Sequence, residues 1–181
     1  MIIIIKEKSI KMLSKTYKCG INFGSFVAWI FLLSVITIGF VASIFSSYGL
    51  NTDWYQQLTK APWQPPNWVF TLVWILLYVL IGLTTYTGVC SDNLGIVFGS
   101  LVVIGLLFNG LWTFVYFVMQ EVGYPFWIIM ALTIIVLIQI IYMLCQNNRP
   151  AKITGGLLIL YLLWLVYASS LNGYQYFNAK L

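Results

Sequence analysis

Charge is missing from most of this chain, and the gaps it leaves decide what the chain can become. No Asp, Glu, Lys or Arg occurs between Lys18 and Asp53, Lys60 and Asp92, Asp92 and Glu121, Glu121 and Arg149, or Lys152 and Lys180. Each gap exceeds the roughly 20 apolar residues that carry a helix across a bilayer. In hydrocarbon, backbone polar groups must be paired within a helix or around a closed barrel. These stretches lack the two-residue alternation of a barrel strand, which leaves helix. The sequence therefore predicts five spans, near 21–47, 67–89, 94–119, 125–145 and 153–176. They form one domain, 21–178, preceded by a basic tail, 1–20, with a loop, 48–66, between the first two spans. The expected fold class is an all-α membrane protein, a bundle of five transmembrane helices. Composition agrees, at 7% charged residues against about 25% in a soluble domain.

The few cations set an orientation. Lys6, Lys8, Lys11, Lys15 and Lys18 in the tail and Arg149 and Lys152 in the fourth connector share one side, leaving Lys60 and Lys180 on the other. Cytoplasmic flanks collect Lys and Arg, so the expectation is an N-terminus inside, in a bacterial cytoplasmic membrane. The net charge of +5 then reflects topology and affinity for anionic headgroups. No basic stripe interleaved with aromatics points to nucleic acid. The apolar run from Ile21 is too long for the core of a signal peptide, so cleavage is not expected. Cys19, Cys90 and Cys145 fall at inner ends of spans, on the reducing side, and are expected to be small buried hydrophobes without a disulfide.

Several chemistries are excluded. The chain has no histidine, which removes the commonest general base and haem ligand. Glu7, Asp53, Asp92 and Glu121 stand apart on separate tails or connectors, so no carboxylate pair or intramembrane proton relay is available. No phosphate-binding glycine loop and no metal-ligand spacing occurs. No metal and no cofactor is expected to be required.

Polar signals inside the spans are few and recur at helical spacing. Asn109, Trp112 and Tyr116 share one face of the third span; Tyr161, Trp164, Ala168 and Asn172 share one of the fifth; Phe70, Trp74 and Tyr78 share one of the second. An unpartnered amide in hydrocarbon is costly. Asn109 and Asn172 must therefore either bond across helices or face an aromatic cavity suited to a flat, mostly apolar ligand. Trp29 reads as packing, and Tyr124 and Trp127 as interfacial rings. Gly95 and Gly99 offer close helix packing, within the chain or in a homodimer.

The loop and its exit, WYQQLTKAPWQPPNWVF over 54–70, are unusually rich in tryptophan and proline. Pro65 and Pro66 end any preceding structure and mark a sharp entry into the second span. Trp63 and Trp68 fit either an interfacial anchor or a stiff lid.

These residues resemble a known family. Trp54-Tyr55, Leu58, Lys60, Pro62-Trp63, Pro65-Pro66, Trp68 and Phe70, running into Val73-Trp74 and Leu77-Tyr78, are similar to the signature of the translocator protein family. Its members are also called tryptophan-rich sensory proteins or peripheral-type benzodiazepine receptors. Asn109, Trp112-Thr113 and Tyr116-Phe117 resemble its third-helix motif; Tyr161, Trp164, Tyr167-Ala168, Leu171-Asn172 and Asn178 resemble its last helix. The resemblance implies a five-helix bundle, a homodimer, and a pocket capped by the first loop. It implies binding of protoporphyrin IX and other tetrapyrroles, with sterol or lipid as a further partner, in transport, regulation or stress response. It places Tyr55, Trp74, Asn109, Trp164 and Ala168 in the pocket, and the aromatic faces add Tyr78, Trp112, Tyr161 and Asn172. Trp54, Lys60, Pro62, Trp63, Pro65, Pro66 and Trp68 become the lid. In some bacterial members the tryptophans matching Trp74 and Trp164 are associated with light-dependent porphyrin breakdown, which would make these two the catalytic residues. The match departs at Ala61 and Leu160, where the family favours proline; Leu160 removes an expected kink of the last helix. Leu171, Tyr176 and Lys180 satisfy a weak sterol pattern. A small-molecule transporter and a structural scaffold are the other readings.

Overall fold

The computed structural model describes residues 23–89 and 95–178. The basic tail, Cys19, Cys90, Asp92 and Lys180 lie outside the described residues. Six helices follow in order: α1 Phe23–Leu50, α2 Asp53–Gln57, α3 Asn67–Val89, α4 Gly95–Phe117, α5 Gly123–Leu144 and α6 Arg149–Asn178. All except the short α2 are long and apolar enough to cross a membrane. The chain is an all-helical five-span bundle, and no strand occurs among the described residues.

Local chemistry explains where the helices begin. Pro66 lacks an N–H, but its carbonyl accepts from Val69 N at 3.0 Å, so α3 starts at Asn67. Asn148 Oδ1 accepts from Ala151 N at 2.7 Å and caps α6, with Pro150 in the first turn where its missing N–H costs nothing. Between α4 and α5 the chain reverses through Gln120, whose φ of 57° lies in the left-handed region. Leu160 is exposed, and α6 runs through it without interruption.

Around the bundle α1 lies beside α3 and α4, α5 lies between α4 and α6, and α6 returns to α3. Phe98, Ile129, Leu132, Met143, Leu158 and Leu165 are fully buried between these helices. Gln139 Nε2 reaches across from α5 to the Leu101 carbonyl at 2.8 Å, in space left by Gly105. That bond satisfies an amide that hydrocarbon could not. Outward faces carry Phe40, Leu107, Ile134 and Leu163, all exposed. Such a surface suits lipid; on a soluble monomer it would be an interaction patch. Trp29 is also outward, edge-on to Tyr86 at 6.2 Å. Cys145 departs from expectation. It is exposed, because it caps α5 beyond the packed segment and its side chain turns outward.

Candidate functional site: an aromatic cavity beneath the first loop

A cavity of about 980 Å³ lies between α1, α3, α4 and α6, under the loop that carries α2. No residue of α5 lines it. Its size is at the upper end of small-molecule sites.

The roof is built from local bonds. Thr52 Oγ accepts from Tyr55 N at 3.3 Å and caps α2, which drives Tyr55 inward to 3% exposure. The Tyr55 hydroxyl accepts from Gln64 Nε2 at 3.1 Å and donates to Asn67 Oδ1 at 3.4 Å. The Lys60 ammonium lies 4.8 Å from the centre of the Tyr55 ring, a cation–π contact. Burial raises the Tyr55 pKa above its ordinary value, and the Gln64 bond offsets part of that. Trp54 meets Tyr116 edge-on at 5.5 Å.

The two ambiguous tryptophans part company. The Trp63 indole N–H donates to Ser170 Oγ at 3.2 Å, its carbonyl accepts from the Tyr167 hydroxyl at 2.8 Å, and its ring meets Tyr174 edge-on at 5.4 Å. Residues 167, 170 and 174 are successive positions on one face of α6, so Trp63 latches the loop to the last helix. Trp68 is 66% exposed at the start of α3, the position of an interfacial anchor.

The walls are aromatic. Trp112 stacks on Tyr116 at 5.5 Å with 8° between ring planes. Trp74 lies 5.7 Å from Tyr78, 6.5 Å from Trp112 and 6.5 Å from Trp164, the last pair nearly perpendicular. Behind these rings runs a ladder of polar bonds. Tyr78 donates to Asn109 Oδ1 at 3.0 Å, and Asn109 Nδ2 donates to the Tyr161 hydroxyl at 3.4 Å. Trp112 Nε1 donates to Asn172 Oδ1 at 2.6 Å, and Tyr116 donates to Gln175 Oε1 at 2.8 Å. The two readings of the buried amides therefore coexist: Asn109 and Asn172 bond across helices and also border the cavity.

Tyr55, Trp74, Tyr78, Asn109, Trp112, Trp164, Ala168 and Asn172 line one space. Tyr161 does not; it is buried behind Asn109 as that amide's partner. Of the loop, Leu50, Asn51, Tyr55 and Gln64 reach the cavity, as does Asn67 at the start of α3, whereas Trp54, Lys60, Pro62, Trp63, Pro65, Pro66 and Trp68 act outside it. Sequence reasoning missed the α1 wall of Leu32, Ile36, Phe40 and Ser43, along with Gln64, Thr113 and Gln175. The serines at 43, 46 and 47 were the one signal available. Two buried polar atoms on lining residues have no bond: Trp164 Nε1 and Gln64 Oε1. Among the described residues no three His, Cys, Asp or Glu side chains group as metal ligands. The arrangement is an aromatic-walled, largely apolar cavity.

Comparison with known proteins agrees with this architecture. A model of the TspO/MBR family matches residues 30–177, which takes in every cavity-lining helix. The chain is 34% identical over 145 residues to "Tryptophan-rich protein TspO" of Archaeoglobus fulgidus, covering 78% of this chain and 89% of that protein. It is 32% identical over 120 residues to "Tryptophan-rich sensory protein" of Cereibacter sphaeroides, covering 66% and 73%. It is 30% identical over 129 residues to "Translocator protein" of Ovis aries, covering 68% and 73%. With the match extending from α1 through the end of α6, this integral membrane chain belongs to the TspO/MBR family.

Proposed function

We propose that this chain is a membrane receptor that binds porphyrins, protoporphyrin IX and haem-like tetrapyrroles foremost and sterols second, in tetrapyrrole transport, regulation or stress response. The observation that carries the reading is the 980 Å³ slot walled by Trp74, Tyr78, Trp112, Tyr116 and Trp164. Asn109 and the oxygens of Asn172 and Gln175 are already held by protein partners, which leaves mainly aromatic faces for a flat apolar ring. Because three tryptophans line the cavity, a bound porphyrin quenches their emission. Titration of purified protein with protoporphyrin IX should give saturable quenching, weakened at least tenfold by Trp164→Phe with Asn109→Ala. Absence of saturation, or an unchanged curve in the double variant, overturns the reading.

The perpendicular Trp74–Trp164 contact at 6.5 Å favours a second outcome at the same site, light-dependent porphyrin breakdown with these indoles as electron donors to the excited ring. Illuminated wild-type membranes should bleach bound porphyrin faster than the double Phe variant; equal rates exclude it. The reading places the chain in a bacterial cytoplasmic membrane with its N-terminus inside. Homodimerisation enters from the family rather than from the glycine pair, because Gly99 is buried within one chain.

A further inference from the structure

The cavity is not closed on all sides, and part of its opening runs along two membrane-spanning helices. On α1, Ile36 and Phe40 line the cavity while remaining 58% and 67% exposed. On α3, Ile75 and Val79 line it while 57% and 58% exposed. Ser43, Ser47 and Thr71 are likewise both lining and exposed. Side chains that line the cavity and carry this much exposed surface mark where it opens. These positions fall four residues apart on the facing sides of the two helices, so the mouth is a slit running along α1 and α3.

Contacts between α1 and α3 interrupt the slit and bound it away from the loop. Gly39 packs on the face of the Tyr78 ring, where an added Cβ would meet three ring carbons at 3.0–3.1 Å; an added Cβ at Gly82 would meet Leu32 at 2.9 Å. Toward the loop the same helices carry Phe40, Ser43 and Ser47 opposite Thr71 and Ile75. On its other side α1 is fastened to α4, through Phe45 against Phe114 at 5.7 Å and Gly49 against Phe117. At the loop, Tyr55 is buried in the roof and bonded to Gln64 and Asn67, while Asn51 and Asn67 line the cavity and are exposed.

We infer that the slit between α1 and α3 is an entry port of the cavity, and that the chain takes its ligand through it from the bilayer. The slit has a chemical grain. Its loop end carries hydroxyls (Ser43, Ser47, Thr71), and its middle is hydrocarbon (Ile36, Phe40, Val79). It selects an amphipathic, lipid-dissolved molecule with one polar edge, entering with that edge toward the headgroups. The inference rests on the proposed porphyrin reading for its probe, though not for its geometry.

The test is a reversible bridge across the slit. Ser47→Cys with Thr71→Cys, in a background where Cys19, Cys90 and Cys145 are replaced by serine, is closed with a bis-methanethiosulfonate and reopened with a reductant. The protein is reconstituted in vesicles preloaded with protoporphyrin IX, and tryptophan quenching is followed in time. Bridging should slow both association and dissociation at least tenfold, and reduction of the same sample should restore both. A residue that merely lined the cavity would change dissociation alone. Doubling the lipid at fixed porphyrin should halve the association rate, since concentration in the membrane is what the port senses. Unchanged rates in the bridged protein, or acceleration by Trp63→Ala with no effect of the bridge, overturn the port. No quenching in the reduced protein overturns the porphyrin reading, a result distinct from unchanged rates in the bridged protein.

Discussion

Replacing Gly49 by alanine probes the approach that fastens α1 to α4. A Cβ at Gly49 would lie 2.7 Å from Phe117 Cγ, and closer still to Phe117 Cβ and Cδ1. Carbon atoms settle about 3.5–4.0 Å apart, so about 1 Å of movement is required. Phe117 cannot supply it by changing rotamer, since its Cβ is fixed to the α4 backbone; the helices must separate. Overpacking of this kind costs about 1–3 kcal/mol. Alanine regains about 0.5–1 kcal/mol in a helix, and no described glycine has the positive φ that would withdraw that gain. The net expectation is a loss of about 0.5–2 kcal/mol. At about 2–4 °C per kcal/mol for a chain of this size, thermal unfolding in detergent should fall by about 1–8 °C. Gly156, exposed on α6, is the internal comparison: an added Cβ there meets nothing within 4 Å. Gly156→Ala should therefore raise the midpoint by about 1–4 °C. Opposite signs are the result required. If both variants rise together, α1 does not lie on Phe117 as described, and the reasoning fails.

The remaining expectations are shorter. Trp63→Ala should raise amide hydrogen exchange across 58–66 by tenfold or more, whereas Trp68→Ala should leave it unchanged; equal effects would remove the latch. Tyr116→Phe leaves Gln175 Oε1 without its donor and should cost about 0.5–2 kcal/mol; combined with Gln175→Leu the losses should fall short of additive by a comparable amount in a double-mutant cycle. Tyr55 has its pKa raised by burial, so its contribution to roof stability is fully present below the ordinary tyrosine range. It is lost as pH rises through about 10 and beyond. Alkaline exposure of the loop should be measurable by proteolysis and should disappear in Tyr55→Phe; persistence in that variant assigns it to another group.

The spans were legible because lipid imposes one rule on every residue within them, and the charge-free gaps report that rule directly. The α3, α4 and α6 walls were legible because tryptophan and asparagine at helical spacing are conspicuous among leucine and isoleucine. The α1 wall was not. Leu32, Ile36 and Phe40 are ordinary membrane residues, and whether they face lipid or a cavity depends on how α1 is tilted against α3. Nor could sequence separate Trp63 from Trp68, five residues apart with identical side chains. Their difference lies in Tyr167, Ser170 and Tyr174, more than a hundred positions away. Spacing placed Tyr161 with Trp164 on one face, but a face continues past the floor of a cavity, and Tyr161 lies beyond it.

The polar ladder behind the aromatic walls sets a limit on discrimination. A site that hydrogen-bonds its ligand rejects analogues lacking the matching group by large factors, because buried polar atoms are then left unpaired. Shape alone separates ligands by about 1–3 kcal/mol per methylene, roughly 10–200-fold. Here Asn109 is held by Tyr78 and Tyr161, and the oxygens of Asn172 and Gln175 by Trp112 and Tyr116. A flat molecule lacking a particular heteroatom leaves those groups as satisfied as before. On the proposed reading, selection at these groups rests on shape, and a change at a single wall residue would shift the preferred guest without rebuilding the bundle.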